Sequence, residues 1–335
     1  MIAIDQPLKK KNFLIRFFTM NTSREVGGRK LPLWRQLALQ LLVLAIAFEV
    51  MFPIMYIITL SFSSKTTRPS TLQLIPTEIS LTAYQQVLDR PTANPVTFLV
   101  LLKNSFLLSF SVGFAAVLIA ILAAYAFSRF KFKLRQVLMV LVFIPLLMPG
   151  VGLATPLFLL LNSLRVYTCG TGISIAPFTA CTQGGTLLFN LRDSLFGVGI
   201  AMTAGALPFA VWILKGYIDT IPLELEEAAK IDGADANKVF TRIVLPLAVP
   251  QLAVTFFLSF IGYWQEFTLP WLFLTKPQDY TLSMTLYNMV GQYASSIPWN
   301  RFAAMSVIVA LPVAVIYVLL QKQIVGGLTA GGIKG

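Results

Sequence analysis

Few side chains in this 335-residue sequence are equipped to make or break a bond. There is no histidine, and the only two cysteines are Cys169 and Cys181. The common zinc-ligand spacings and the Cys-His and Ser-His-Asp nucleophile arrangements therefore have no members here. No Gly-x-x-x-x-Gly-Lys-Ser/Thr phosphate loop occurs, so ATP hydrolysis cannot be assigned to the chain itself. A reading as an intramembrane protease or transferase lacks a convergent constellation to rest on, and no metal or cofactor is expected on this chain. What remains are carboxylates. Glu49 and Glu266 lie in apolar runs, where a charge is costly enough to mark a solute pathway or a buried pairing. Glu224, Glu226 and Glu227 fall in the most polar stretch of the central chain, Asp219 to Gly233, where their chemistry is helix capping, docking and charge pairing.

The elements that must position these groups are membrane helices. Of the residues, 56% are hydrophobic and 12% charged, with a mean hydropathy of +0.76; a soluble domain carries about 25% charged residues. Apolar runs long enough to span a bilayer occur near Leu37 to Leu60, Phe106 to Phe127, Val137 to Leu161, Val198 to Leu214, Leu252 to Leu274 and Phe302 to Leu320. The expectation is an all-α integral membrane protein with about six transmembrane helices, and the lipid bilayer is its first partner.

Six crossings put both termini on one side. Eight Lys and Arg fall in the N-terminal segment, four in Arg129 to Arg135, four in Lys215 to Arg242 and two in the C-terminal tail, together 18 of the 26. By the positive-inside rule these segments, and both termini, are cytoplasmic. The net charge of +12 is thereby a matter of topology, and its scatter between apolar runs speaks against nucleic acid as a partner. Residues 1–36 form a basic segment whose stretch Phe13 to Phe18 suits an anionic membrane surface. Its apolar core is too short, and too broken by Arg16, for a signal peptide.

On the opposite side, residues 162–196 form a Gly/Thr-rich loop holding both cysteines, in a compartment where disulfides persist. A Cys169–Cys181 bridge is expected there, with two unpaired thiols as the alternative. The loop Lys276 to Asn300 carries Tyr280, Tyr287, Tyr293 and Trp299, which suit either a docked protein or the aromatic belt of a membrane edge.

Between the fourth and fifth runs, residues 219–246 read as helix, turn, helix. Pro222 suits a first helical position, the glutamates favour the opening turns, and Gly233 ends the helix. Asp235 is an N-cap for a second pattern in which Ala236, Val239, Phe240, Ile243 and Val244 share a face. Pro246 and Pro250 follow as the chain enters the fifth run. The product is a protruding elbow able to dock into a partner's groove, or else an ordinary amphipathic connector at the membrane surface.

The spacing of Glu227, Ala228 and Ala229, then Gly233, then Ile243, Leu245 and Pro246 is similar to the EAA signature of permeases in binding-protein-dependent ABC importers. The resemblance runs from about residue 37 to the C-terminus. Phe209-Ala210-Val211-Trp212, Trp264-Gln265-Glu266-Phe267 and the Gly-rich tail at 326–335 most resemble the second permease subunit of maltose/maltodextrin importers. The resemblance implies a type I ABC importer permease fold over 37–325. It also implies a heterodimer with a second permease, two ATP-binding subunits that carry ATP and magnesium, and an extracytoplasmic sugar-binding protein.

The same resemblance makes the EAA residues the contact to the ATPase, and lets the tail reach that interface as well. Gly262, Tyr263, Trp264, Gln265, Glu266 and Pro270 combine a weakened helix with aromatic and polar groups, as a sugar pathway would require; a purely structural carboxylate at Glu266 fits the same residues. Another carbohydrate or glycerol phosphate is the alternative solute within the family. An ion-coupled secondary transporter is the distant alternative, poorly served by two intramembrane carboxylates and no histidine. The residues at 162–196 and the long N-terminus depart from the family pattern and inherit no role from it.

Overall fold

The computed structural model describes residues 33–67, 78–148, 150–163, 165–169, 172–176, 186–191, 193–292 and 297–332. The chain divides into two compact units, Met1–Tyr56 and Ile57–Gly335. The described part of the first is most of helix α1 (Leu33–Ser61), an apolar helix interrupted only by Pro53 and carrying an exposed Glu49.

The second unit contains the bundle. Its helices are α2 (Thr82–Asp89), α3 (Phe98–Arg129), α4 (Arg135–Leu147), α5 (Gly150–Ser163), α6 (Leu195–Ile218), α7 (Leu223–Ile231), α8 (Ala236–Val239), α9 (Leu245–Gln265), α10 (Thr268–Phe273), α11 (Leu282–Gln292) and α12 (Trp299–Gly332). Four of the expected spans appear as single long helices, at Gln36–Ser61, Phe98–Arg129, Leu195–Ile218 and Trp299–Lys322. The other two differ from the expectation.

The third run, expected as one helix from Val137 to Leu161, is the pair α4 and α5, bent by 106°. Pro145 and Pro156 lie inside these helices, and Gly150 and Gly152 stand between the two prolines. Proline removes a ladder donor and crowds the preceding turn, which favours a break in such a run. The bent pair nevertheless crosses the bundle, because α3 and α6 are parallel neighbours. Leu108 and Val112 of α3 share a core with Val198, Ala201 and Met202 of α6. At the other end Ile121, Ala124 and Phe127 share one with Val211, Leu214 and Ile218. A chain leaving the end of α3 must return to the start of α6, and it does: Met139 and Val142 of α4 pack on the second core, Leu157, Phe158 and Leu161 of α5 on the first. Among the described residues, five helices are long and apolar enough to cross a bilayer, and the bent pair counted as one span makes six.

The fifth run, expected from Leu252 to Leu274, starts earlier and stops sooner. A continuous apolar helix covers Ala236–Gln265, formed by α8, a π turn at Phe240–Val244, and α9. Pro246 and Pro250 have no N–H for the carbonyls four residues back; the π turn, closed by the Leu245 N–H on the Phe240 carbonyl, takes up an extra residue just before this interruption. The expected second elbow helix is thus the root of the fifth span.

At its other end α9 runs antiparallel to α3 and delivers Phe260 and Trp264 to a third core with Val96, Phe98, Leu101, Leu282, Ala304 and Met305. Trp264 Nε1 donates to the Val309 carbonyl at 3.1 Å, fastening α9 to α12. Asn104 of α3 donates to the carbonyls of Gln278 and Tyr280 at 2.7 and 3.0 Å, so the loop before α11 is tied to the bundle.

The membrane domain is helical as expected, but residues 162–196 contain a small antiparallel sheet that the all-α reading did not include. Its strands are β1 (Arg165–Cys169), β2 (Gly172–Ala176) and β3 (Thr186–Asn190), in the order β2-β1-β3. Cys169 pairs with Gly172 across the β1–β2 turn. Cys181, and with it the expected bridge, lies outside the described residues, as do Tyr293 and residues 1–32. The segment rejoins the bundle at α6, where Ser194 caps the helix by accepting from the Gly197 N–H at 3.1 Å. Gly197 has to be glycine, since a Cβ there would overlap the Leu191 carbonyl oxygen. Helix α12 continues into the Gly-rich tail as far as Gly332.

Candidate functional site

The elbow is a short polar helix set on the ends of two apolar ones. Pro222 is the N-cap of α7, one position earlier than expected, with Glu224 and Glu226 in the first turn, where the helix dipole favours them. The helix ends in a Schellman turn: the Ala234 N–H reaches the Ala229 carbonyl at 2.9 Å and the Gly233 N–H reaches that of Lys230 at 3.1 Å. Gly233 has φ +84°, a conformation that costs an L side chain about 1–2 kcal/mol. Asp235 then caps α8, its Oδ1 accepting from the Lys238 N–H at 2.8 Å, as its sequence position suggested.

One charge holds this turned pair to the bundle. Glu226 is 2% exposed and pairs through Oε1 with Arg129 Nε at 2.6 Å. The same guanidinium donates from Nη2 to the carbonyls of Ile218 and Ile221, at 3.1 and 2.9 Å, and Tyr125 reaches Glu226 Oε2 at 3.3 Å. Arg129 therefore joins the last turn of α3, the end of α6 and the first turn of α7. A second pairing lies beside it, where Asp219 accepts from Ser128 Oγ at 2.5 Å and from Lys215 Nζ at 2.6 Å. Burial alone would raise the Asp219 carboxyl, but these two hydrogen bonds and the nearby positive charges hold it below the usual 3.8.

The EAA residues divide between two places. Glu227, Ala228 and Gly233 are exposed and Ala229 is half-buried on α7 and its cap; Ile243, Leu245 and Pro246 lie on the π turn and the head of α9, with Leu245 packed against the core near Ala120 and Ile121. Glu227, the glutamate of the motif, faces solvent. Its neighbour Glu226, which the spacing did not single out, is the buried one. No local signal separates the two, because the partner lies 97 residues earlier in the chain. The apolar residues of α7 are inverted in the opposite sense: Leu223, Leu225 and Ile231 are exposed, Ile231 at 87%.

At the far end of the bundle, Tyr263, Trp264, Gln265 and Glu266 do not converge on one cavity. Trp264 is in the core, Gln265 is exposed, and Tyr263 is half-buried toward Gly205 of α6. Glu266 ends α9 in an extended conformation, and its Oε1 accepts from the N–H groups of Thr268 and Leu269, at 2.6 and 3.2 Å. The partners of this carboxylate are neighbouring backbone N–H groups rather than neighbouring helices. Beside it Phe267 stacks on an exposed Tyr287, with ring centroids 4.6 Å apart. Asp193, at the entry to α6, holds the loop after α10 by accepting from the Thr275 N–H and hydroxyl, both at 2.9 Å, with Lys276 at 3.5 Å. No group of three or more His, Cys, Asp or Glu able to hold a metal occurs among the described residues.

Five or six apolar helices long enough to cross a bilayer, with a capped polar elbow locked to two parallel ones, define a multi-pass membrane protein. The model of the family described as "Binding-protein-dependent transport system inner membrane component" matches residues 116–327, which include the whole elbow, and the chain belongs to that family of inner-membrane transport subunits. It is 33% identical over 313 residues to the maltose/maltodextrin transport system permease protein MalG of Photorhabdus laumondii, covering 90% of this chain and 97% of that one. It is 32% identical over 296 residues to the galactooligosaccharides transport system permease protein GanQ of Bacillus subtilis, covering 88% and 94%. A crystal structure of a bacterial ABC transporter that imports alginate shares the fold, with a TM-score of 0.64 at 20% identity over 86% of this chain and 95% of that one. These relatives are transport permeases, and the chain is a membrane subunit without a catalytic role of its own.

Proposed function

We propose that this chain is one permease subunit of an ATP-driven importer that moves maltose or maltodextrin-type sugars across the cytoplasmic membrane, with the elbow as its contact to a separate ATPase. The observation that carries the reading is the combination of a buried ionic base and exposed aliphatic side chains on α7. Glu226 is buried in an ion pair, while Leu223, Leu225 and Ile231 are exposed on a helix outside the apolar spans. Exposed aliphatic side chains beside a polar surface favour burial by a partner, at about 25 cal/mol per Å² removed from water. A groove on an ATP-binding subunit is the occupant that the EAA spacing implies.

ATP can bias the permease only through a differential contact, and a docked helix whose base is locked to the bundle meets that requirement. Glu227, Ala228 and Ala229 form the contact, Gly233 sets its shape, and Ile243, Leu245 and Pro246 root it in the fifth span. The complete importer then contains a second permease, two ATP-binding subunits that bind ATP and magnesium, and an extracytoplasmic sugar-binding protein. The basic segments, the elbow and both termini lie on the cytoplasmic side.

Maltose or maltodextrin is favoured by the relative named for it and by the resemblance of the tail and the segment around Trp264. A second sugar reading is carried by the galactooligosaccharide and alginate transporters among the similar proteins. The test is uptake of labelled maltotriose into proteoliposomes that contain the assembled complex and its binding protein. Uptake that needs ATP and is competed by maltodextrin supports the assignment. ATP-dependent uptake of galactooligosaccharides alone moves it to the second sugar, and absence of any binding-protein-stimulated ATPase removes the importer reading.

A further inference from the structure

The two arms of the elbow are held to the bundle in different ways. The arm after Gly233 is covalently continuous with the fifth span: α8, the π turn and α9 form one helical path from Ala236 to Gln265. The arm before it, α7, belongs to no span. It packs against α8 and the π turn, and its side-chain polar hold on α3 is the Glu226 carboxylate, received by Arg129 and by Tyr125 one turn earlier. Arg129 gives three further donors to the carbonyls of Ile218 and Ile221 and to Ser128 Oγ, so the chain entering α7 is bound to the same guanidinium as Glu226. Between the arms, a Cβ at Gly233 would meet nothing within 4 Å.

Resting on the coupling role proposed above for the elbow, we infer that Arg129 is a positioning residue that makes α7 a rigid extension of the parallel pair α3 and α6. A push from the ATPase on α7 then arrives at α3 and α6 through the Arg129–Glu226 clamp, while α9 receives its share through the α8 arm, with Gly233 as the joint between the two. The planar fork suits this task, since one guanidinium satisfies a carboxylate and two carbonyls with fixed relative directions. A lysine ammonium offers a single point charge in its place.

The test uses the whole complex with its ATPase partner in lipid, with Cys169 and Cys181 replaced by serine. Spin labels are placed at exposed positions of the two arms and of the bundle end: Lys133 with Glu224 across the clamp, and Glu224 with Asn237 across the joint. The expected result is one Lys133–Glu224 distance that is the same with and without ATP, and a Glu224–Asn237 distance that changes. In Glu226→Gln the first distance should spread into a broad distribution. A Lys133–Glu224 distance that shifts with ATP in the parent complex overturns the clamp, whatever solute the importer carries.

The second measurement is the amount of solute moved per ATP hydrolysed, which a loss of folded complex would not change, since both quantities fall together. Arg129→Lys keeps the charge and loses the fork, and should lower the ratio by about tenfold, within the range of ordinary coupling free energies. The exchange Arg129→Glu with Glu226→Arg should recover part of the loss of Glu226→Arg alone. Parent ratios in Arg129→Lys and Glu226→Gln contradict the inference. Failure of every sugar-loaded binding protein to stimulate the parent overturns the carbohydrate assignment and leaves the distance measurement to judge the clamp.

Discussion

Glu226 and Glu266 stand at opposite ends of the same bundle and do opposite kinds of work. Glu226 is sealed from solvent and answered by a guanidinium, so three separate segments depend on it. Glu266 is half-buried and answered by two N–H groups of the residues that follow it, so it shapes one local turn. An ion pair that bridges distant elements transmits displacement between them. A carboxylate that caps its own chain fixes only where a helix restarts. The end at which the buried long-range pair is found is also the end where Leu223, Leu225 and Ile231 are exposed on a short polar helix, which is why the elbow, rather than the far end, is assigned the coupling role.

The largest effect expected from this contrast is on Glu226→Ala, which leaves Arg129 buried without its carboxylate. Breaking one side of such a pair costs about 3–5 kcal/mol. Thermal unfolding of the purified complex should show a large loss, and an unchanged midpoint would mean that water replaces the pair. Glu266→Ala should lose about 1 kcal/mol, the value of a helix cap, and Glu266→Gln much less, because its amide oxygen can still accept. If Glu266 instead lines the solute path, Glu266→Gln should raise the KM for solute while barely changing stability, and uptake kinetics separate the two.

A smaller effect is expected from pH. Burial alone would raise Asp193, but its bonds from Thr275 and the nearby Lys276 hold the carboxyl below 3.8. The folded state then releases this proton more readily than the unfolded chain does. The contribution to stability is complete above the unfolded value and drains away as pH falls through the folded one. Below pH 3.8, the stability difference between the parent and Asp193→Asn should shrink with acidification. A difference that grows there would reverse the sign.

The parts of this structure that were legible in the sequence are those specified by local chemistry. The turn at Gly233 follows from the one residue tolerant of φ +84°, and Asp235 caps the next helix as its position suggested. Four spans follow from their apolar runs. What was missed depends on distance or on competing local rules. Glu226 could not be told from Glu227 without Arg129 beside it. Pro246 and Pro250 read as a boundary, yet a π turn carries the helix through them. Cumulative Pro and Gly in the third run signalled a break that its hydropathy hid. In residues 162–196 the alternation Val166, Thr168 and Ile173, Ile175 was a strand signal, outweighed by the Gly/Thr content that read as loop.

The central claim is that the Gly233 elbow couples this chain to a separate ATPase. Its most direct test is ATP hydrolysis by the assembled complex in lipid, with and without a maltodextrin-loaded binding protein, for the parent and for Gly233→Trp. Stimulation in the parent that disappears in an intact Gly233→Trp complex is the predicted result. Stimulation of the same size in both would contradict the coupling role of the elbow.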